Sequence, residues 1–255
     1  MQHITHVNSP MLTPDILKLK AFYATPLGEL AHGLILRSIL RVWPHARGES
    51  VLGIGYTTPY MAEYLDDGAL LAACMPSYQG AAYWPANRTN LTFLANESEL
   101  PIRESTMNRV LLVHSIETTD QLHTMLRDVW RVLTPGGRVL VVAPNRLSMW
   151  ARSSRSPFGF GLPFSMAQLK TLLAEHDFTV MHAASALYIP PLHNRLLWKV
   201  ARRIDALGQL LCVNIGGVIL VEAEKQIYAG VQQPAATRNY KKAPAAKPVM
   251  TMTGN

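Results

Sequence analysis

Cysteine, long apolar runs and an N-terminal targeting signal are scarce or missing in this sequence of 255 residues. The two cysteines, Cys74 and Cys212, lie in apolar runs. Two thiols are too few for a disulfide framework and favour a reducing compartment. Met1–Pro10 has neither the cationic start nor the apolar stretch of a signal peptide, and no apolar run approaches the roughly 20 residues that span a bilayer. We therefore expect a cytoplasmic protein without a transmembrane segment.

Acidic residues are absent from the C-terminal end of the chain. The segment Lys225–Asn255 holds five basic residues and no acid among many Ala, Pro and Gln residues. Most of the net charge of +7 therefore lies there. This composition predicts a disordered basic tail over residues 225–255. Binding of nucleic acid or of an anionic surface by this tail is an open alternative, since phosphate groups attract clustered Lys and Arg.

Recognisable spacings of metal ligands or of a hydrolytic triad are also missing. His3 and His6 have a metal-like spacing, but no cysteine lies near them and a frayed chain end is a poor site. We predict that the protein has no metal site.

Strand-like and helix-like runs alternate through the rest of the chain. Seven runs are predicted as strands: Ser50–Gly55, Ala69–Cys74, Asn90–Leu94, Arg109–His114, Gly137–Ala143, Phe178–Ala186 and Asn214–Glu222. Six segments are predicted as helices: that between Thr13 and Pro26, then Leu27–Trp43, Pro59–Leu65, Thr119–Leu133, Ser165–His176 and Leu192–Leu207. Runs such as Val110–Val113 are apolar throughout, as expected for strands that are covered on both faces.

This alternation predicts an α/β fold with a Rossmann-like, doubly wound, mostly parallel seven-stranded sheet and N-terminal helices. We expect three parts along the chain. They are an N-terminal helical segment over residues 1–46, an α/β domain over 47–224 and the basic tail over 225–255.

The most specific pattern in the sequence is the segment Leu126–Asn145. Pro135 stops a helix with one apolar face, and Gly136 and Gly137 permit the positive φ that is needed to turn into a buried strand. A second pattern joins Glu99-Leu-Pro-Ile to the run that begins at Asn108 and ends at Glu117.

On these two patterns, the part of the sequence from about residue 50 to about residue 180 resembles the class I S-adenosylmethionine (SAM)-dependent methyltransferases, in particular the type 11 group. The resemblance implies SAM as cofactor and transfer of its methyl group to a substrate, most simply a small molecule. Ligands of such open sheets bind outside the carboxyl ends of the strands. The cofactor-binding residues that the resemblance implies lie at or just after the ends of the first four strands: Gly53, Gly55, Tyr56, Thr57, Cys74, Met75, Asn96, Glu97 and His114.

The loop Val51–Tyr60 departs from the family pattern, which is an acid followed by Gly-x-Gly-x-Gly. Gly53 stands in the place of the acid, and Thr57 and Pro59 replace the second and third glycines. Cys74 stands where the family has the acid that accepts both ribose hydroxyls. Losing two charge-assisted contacts costs about 1.5–3 kcal/mol each. Two hypotheses therefore stay open: an active methyltransferase, and a catalytically inactive protein of the same fold that acts as a binding or regulatory partner.

Candidates for a general base follow the strand Arg109–Val113. This strand delivers His114 and Glu117 to the ligand edge of the sheet, and both residue types accept protons near neutral pH in suitable surroundings. The sequence does not decide between them.

A long loop rich in Pro and Gly follows the fifth strand and contains Arg146, Arg152 and Arg155. Long loops at this edge of a sheet are often functional. Three guanidinium groups suit a carboxylate or phosphate on a substrate or partner, and solvated loop arginines are the alternative.

Overall fold

The computed structural model describes residues 14–191, 195–211 and 215–227. Cys212, the two N-terminal histidines and the predicted tail beyond residue 227 lie outside the described residues. Among the described residues, no helix is long and apolar enough to cross a bilayer.

One seven-stranded sheet organises the chain, in the strand order β3-β2-β1-β4-β5-β7-β6. Its strands are β1 (Ser50–Gly55), β2 (Leu70–Pro76), β3 (Thr92–Ala95), β4 (Met107–Val113), β5 (Leu133–Pro144), β6 (Phe178–Ala186) and β7 (Val218–Lys225). The strands from β3 to β5 are parallel, and β7 runs antiparallel to both of its neighbours, β5 and β6. The predicted fold class, a mostly parallel Rossmann-like sheet, is confirmed.

The helices cover both faces of this sheet. They are α1 (Ile16–Tyr23), α2 (Pro26–Val42), α3 (Thr58–Met61), α4 (Leu122–Val132), α5 (Met166–Glu175) and α6 (Arg195–Leu210). The N-caps follow the local chemistry, since Thr25 caps α2 and Ser165 caps α5 by accepting a backbone N–H. Asp15 caps α1, so this helix begins two residues later than a cap at Thr13 predicts.

Several predicted bounds differ from the structure. β5 begins at Leu133 rather than at Gly137, because Leu133 already pairs with Met107 across a register shift. β7 begins at Val218 and extends through Lys225, whose Nζ donates to the carbonyl of Leu133 at 2.6 Å. Lys225, which the sequence places in the tail, is therefore the last residue of the sheet.

Two hydrophobic clusters sandwich the sheet. One joins α1 and α2 to one face through residues such as Leu19, Ile35 and Leu111. The other packs α4 and α5 on the opposite face, with Val129 and Leu173 in its interior. The N-terminal helices thus share a core with the sheet, and this places α1 beside the carboxyl ends of β1 and β4.

Gly55→Ala is expected to lower the free energy of unfolding by about 3–5 kcal/mol. Gly55 has a φ of 88°, and a Cβ there would overlap the carbonyl oxygen of Val113. Gly48→Ala is the matched control, because Gly48 has a φ of 72° with nothing near its Cβ position; its cost should be about 1–2 kcal/mol. Urea unfolding measures both values, and equal losses would contradict the close approach at Gly55.

Candidate functional site

The carboxyl ends of β1 and β4 lie side by side and form the floor of the candidate site. Their parallel register pairs Gly55 with Val113. The amide of Tyr56 donates to the carbonyl of Val113 at 2.8 Å. The loops that leave the two strands, at Tyr56 and at His114, therefore meet above this edge of the sheet.

Four buried side chains cross this edge, and we call Tyr60, Tyr23, His114 and Glu117 the polar row. The hydroxyl oxygens of Tyr60 and Tyr23 are 2.9 Å apart. The hydroxyl of Tyr23 lies 2.9 Å from Nε2 of His114. On the far side of the ring, Nδ1 of His114 lies 3.3 Å from Oε1 of Glu117. The structure thus brings both predicted base candidates into contact.

Hydrogen bonding along the polar row has one consistent direction. A carboxylate only accepts, so the imidazole proton belongs on Nδ1, which faces Glu117. Nε2 of His114 then accepts from the hydroxyl of Tyr23, whose oxygen accepts in turn from Tyr60. His114 has a φ of 51°, a left-handed conformation that is uncommon for residues other than glycine and is concentrated at functional sites.

Aromatic rings close the site around the polar row. The ring of Phe158 lies 5.0 Å from that of His114, and the ring of Tyr56 lies 5.4 Å from that of Tyr23. Burial raises the pKa of Tyr23 well above its ordinary value and raises the pKa of Tyr56 to about 12. Both phenols therefore stay protonated at neutral pH. The protein's own side chains fill this crevice.

Gln79 joins α1 to the end of β4. Its side-chain Nε2 donates to the carbonyl of His114 at 2.9 Å. Its backbone carbonyl accepts from the amide of Ile16 at 2.8 Å. Ile16 is the first residue of α1 and Tyr23 is the last, so hydrogen bonds hold this helix against the site at both ends.

Three buried polar atoms around the site have no hydrogen-bond partner among the described residues: Oγ1 of Thr57, Oε1 of Gln79 and Oε1 of Glu117. The Glu117 atom has the 3.3 Å contact with His114, which is long for a charge-assisted hydrogen bond. A buried acceptor without a donor costs free energy. These atoms follow β1, β2 and β4, so the carboxyl edge of the sheet offers unused acceptors to a ligand that donates.

Gly53 and Thr57 fit each other closely. A Cβ at Gly53 would overlap Oγ1 of Thr57 and Sδ of Met61. Thr57 is fully buried and has a φ of −96°, so its backbone needs no glycine. The lost acid and the lost second glycine are therefore one coupled feature, because the threonine side chain fills the space that an acid at position 53 would need.

The predicted cofactor residues at the carboxyl end of β2 are apolar or neutral. Cys74 and Met75 are fully buried. Burial, and then the charge of Glu97, raises the pKa of the Cys74 thiol to about 12. Sδ of Met75 accepts from the amide of Ala82 at 3.1 Å. The end of β2 therefore supplies no charged group of its own.

The two residues predicted after β3 differ in their surroundings. Asn96 is exposed, and its Oδ1 accepts from the hydroxyl of Ser98 at 2.7 Å. Glu97 is buried and acts electrostatically on both Cys74 and Tyr78, whose pKa values it raises after the larger effect of burial. The carboxylate that faces the end of β2 thus comes from the chain beyond β3.

The three loop arginines are not brought to the polar row. Arg146, Arg152 and Arg155 are exposed. Arg146 lines a separate surface cavity of about 510 Å³ together with Leu162 and Phe164. Their role in binding a substrate stays a prediction. Within the described residues, no group of three or more His, Cys, Asp or Glu side chains is placed to hold a metal ion.

Sequence reasoning missed three residues that shape the site. Tyr23 lies 91 residues before His114 in the chain, and its place in α1 matches an ordinary core position. Gln79 lies in a turn and Phe158 in a three-residue 3-10 helix, and no periodicity marks either of them. Nothing local in the sequence distinguishes these three from packing or loop residues.

Comparison with known proteins bears on this site. Residues 51–141 match the family model described as "Methyltransferase domain". This match spans the strands β1 to β4 and most of β5, and it confirms the predicted type 11 resemblance. No curated protein sequence matches the chain.

Solved structures that share the fold at low sequence identity include several methyltransferases and a [4+2]-cyclase. A Thermotoga maritima protein, a SAM-dependent methyltransferase described as a possible histamine N-methyltransferase, has a TM-score of 0.61 at 15% identity, covering 83% of this chain and 96% of its own. A SAM-dependent methyltransferase from Archaeoglobus fulgidus gives 0.56 at 14% identity, with 82% and 98% covered. The Burkholderia thailandensis 1,6-didemethyltoxoflavin-N1-methyltransferase, with bound 1,6-didemethyltoxoflavin and S-adenosylhomocysteine, gives 0.53 at 16% identity, with 78% and 80% covered.

The Cys74 thiol is expected to resist modification in the folded protein at about pH 8, because it is buried and its pKa is raised to about 12. Release of thionitrobenzoate from Ellman's reagent measures this in a Cys212→Ser variant, which leaves one thiol. Reaction should need a denaturant. Rapid release of one equivalent from the folded variant would contradict the burial of Cys74.

Proposed function

We propose that this chain, whose residues 51–141 belong to the methyltransferase domain family, transfers a methyl group from SAM to a small molecule bound at the carboxyl ends of β1 and β4. The family match and the shared fold support the reaction class. The polar row supports the place, because it sets a proton acceptor at the edge of the sheet where such folds bind ligands.

The observation that carries the proposal is the pair of contacts on the His114 ring: Glu117 contacts one ring nitrogen, and a hydroxyl group contacts the other. Methyl transfer to an oxygen or nitrogen requires alignment of the nucleophile and, at most, one base that takes its proton. The carboxylate of Glu117, 3.3 Å away, favours the proton on Nδ1 of His114, which leaves Nε2 free to accept. Of the two candidates, His114 is thus the base, and Glu117 is the residue that orients it.

The division of labour follows from this geometry. When bound, SAM supplies an electrophilic methyl group, and the electron pair of its broken carbon–sulfur bond stays on sulfur. Nε2 of His114 receives the proton of the nucleophile as the new bond to the methyl carbon forms. The buried carboxylate of Glu117 stabilises the imidazolium that results. The aromatic rings around the polar row exclude water from the reaction.

The unused acceptors fit the chemistry of the cofactor. SAM carries an ammonium group, a sulfonium, ribose hydroxyls and an adenine amino group, and all of these donate hydrogen bonds or bear positive charge. The unpartnered oxygens of Thr57 and Gln79 would receive such donors, and tyrosine faces attract a sulfonium. Because position 74 is a cysteine and not an acid, Glu97 is the buried carboxylate available to the ribose hydroxyls of SAM. Binding requires the side chains that fill the crevice to move.

The filled crevice favours a second candidate function, a protein of this fold that binds a partner without methyl transfer. Tyr23 and Tyr56 pack where a ligand would lie, and the ends of β1 and β2 lack carboxylates. Losing two charge-assisted contacts weakens SAM binding by roughly two to four powers of ten. A direct binding measurement separates the two candidates.

Isothermal titration with SAM and with S-adenosylhomocysteine is expected to give dissociation constants from about 1 to about 100 μM. Transfer of radiolabelled methyl from SAM to a panel of small hydroxyl and amine compounds should then fall by about 10²–10⁴-fold in His114→Gln. His182→Gln is the control, because His182 is exposed on β6, and should leave transfer unchanged. Absence of heat at millimolar SAM would overturn the enzymatic proposal and leave the second candidate.

A double variant tests the coupled feature at the cofactor loop. Gly53→Asp alone should be strongly destabilised, since the new Cβ overlaps Thr57. Gly53→Asp combined with Thr57→Gly removes the overlap with Thr57, leaves only the flexible Met61 side chain to shift, and places a carboxylate at the end of β1. Its affinity for SAM should exceed that of Thr57→Gly alone by about 10–100-fold, as titration measures. Equal affinities would show that SAM does not bind at this loop.

A further inference from the structure

Tyr23 makes a contact that a ligand of this site would make. Its hydroxyl donates to Nε2 of His114 at 2.9 Å, the atom that takes a proton in the proposed reaction. The phenol comes from α1, far away in sequence, and not from the loops that build the floor of the crevice. A phenol is protonated at neutral pH and burial raises the pKa of Tyr23 further, so Tyr23 presents an O–H to the imidazole as a bound hydroxyl compound would.

The surroundings of the Tyr23 ring suit a neutral aromatic molecule. The rings of Phe22, Tyr56 and Tyr60 lie 5.3, 5.4 and 6.3 Å from it. The ring of His32 lies 6.4 Å away, and burial lowers the pKa of that imidazole, which keeps it uncharged. We call the space between these rings, which the Tyr23 ring fills, the slot. It favours a flat apolar ring over an aliphatic or doubly charged compound.

Polar contacts in the slot are confined to one end. The hydroxyl oxygen of Tyr23 meets Nε2 of His114, which accepts, and the hydroxyl of Tyr60, which donates. A ligand atom in this place needs one hydrogen to give and one lone pair to receive. A phenolic hydroxyl meets both demands, whereas an ammonium group has no lone pair and meets one of them.

We propose that Tyr23 stands in for the ligand of this site, and that this ligand is a phenol whose hydroxyl displaces that of Tyr23 from His114. The proposal rests on the proposed function in one respect, that the displaced position is the place of the methyl acceptor. In that reaction the phenolic O–H bond breaks, its proton passes to Nε2 of His114, and the oxygen forms the bond to the methyl carbon.

Displacement of the Tyr23 hydroxyl breaks few hydrogen bonds. The helix α1 has eight residues, and three hydrogen bonds link it to the site. They are Tyr23 to His114, Tyr23 to Tyr60, and Ile16 to the carbonyl of Gln79. Tyr23→Phe removes the two hydrogen bonds of the Tyr23 hydroxyl and keeps the aromatic ring. The side chain that competes with the ligand is then held less tightly, and the slot stays filled.

The experiment compares 4-methylphenol with toluene, which have nearly the same shape and differ by the hydroxyl. Titration of the purified full chain should show a preference for 4-methylphenol. Tyr23→Phe should bind 4-methylphenol about tenfold more tightly than the unaltered protein, because two competing hydrogen bonds are gone. The affinity for toluene should stay within about threefold. His114→Gln should lose most of the preference for the hydroxyl.

The matched control is Tyr64→Phe. Tyr64 is buried in the same cluster, and its hydroxyl donates to the carbonyl of Trp43 at 2.7 Å, away from the polar row. This variant loses a buried hydrogen bond and should leave the 4-methylphenol affinity unchanged. Equal gains in Tyr64→Phe and Tyr23→Phe would show general loosening of the fold and overturn the proposal.

Other outcomes would contradict either the assignment of a phenol or the proposed methyl transfer. Equal affinity for 4-methylphenol and toluene, tighter binding of benzylamine, or no binding of any probe to either Tyr23→Phe or the unaltered protein would each overturn the assignment of a phenol. Binding of 4-methylphenol without formation of 4-methylanisole from SAM would keep the phenol site and refute the proposed methyl transfer. Failure of the phenol assignment and failure of the proposed methyl transfer therefore give different results.

Discussion

The parallel pairing of β1 with β4 is the constraint on which the site depends. At the end of this pairing, Gly55 lies so close to the carbonyl of Val113 that no side chain fits between the two strands. The amide of Tyr56 is then drawn to the same carbonyl. Two loops that are far apart in sequence therefore leave the sheet from adjoining points. The contact between His114 and the aromatic side chains is a consequence of that geometry.

Charge is distributed around this point in a particular way. The buried carboxylates of Glu97 and Glu117 face phenols, a thiol and an imidazole, all of which are neutral or become positive. The unpartnered atoms there are oxygens. A site of this kind attracts donors and cations and repels anions. The arginines of the long loop, which would favour an anion, lie exposed and apart from it.

The predictable parts of the molecule are those that a local pattern encodes. Continuous apolar runs identify buried parallel strands, and the segment around Gly136 and Gly137 carries the family resemblance, because both signals lie within about 20 residues. His114 and Glu117 are predictable because they follow a strand whose end faces the ligand edge. The bounds of β5 and β7 are not, since they depend on pairing with strands distant in the chain.

The residues that fill the crevice cannot be predicted either, because their contacts also join parts of the chain that are distant in sequence. Tyr23 repeats at the helical spacing of its neighbours, and its hydroxyl finds His114 only after α1 packs on the sheet. The fit of Thr57 to Gly53 likewise cannot be predicted from the sequence, in which the missing acid at position 53 and the missing glycine at position 57 are two separate departures from the family pattern. Distances across the sheet edge show that the two substitutions occupy one space.

The place of β7 has a consequence for how the chain reaches its native state. This strand lies between β5 and β6, both of which precede it in sequence. During synthesis those two strands emerge first and must stay apart, with edges unpaired, until residues 218–225 arrive between them. Exposed strand edges attract other chains. The interval before β7 emerges is therefore when a nascent molecule is most prone to aggregate or to need a chaperone.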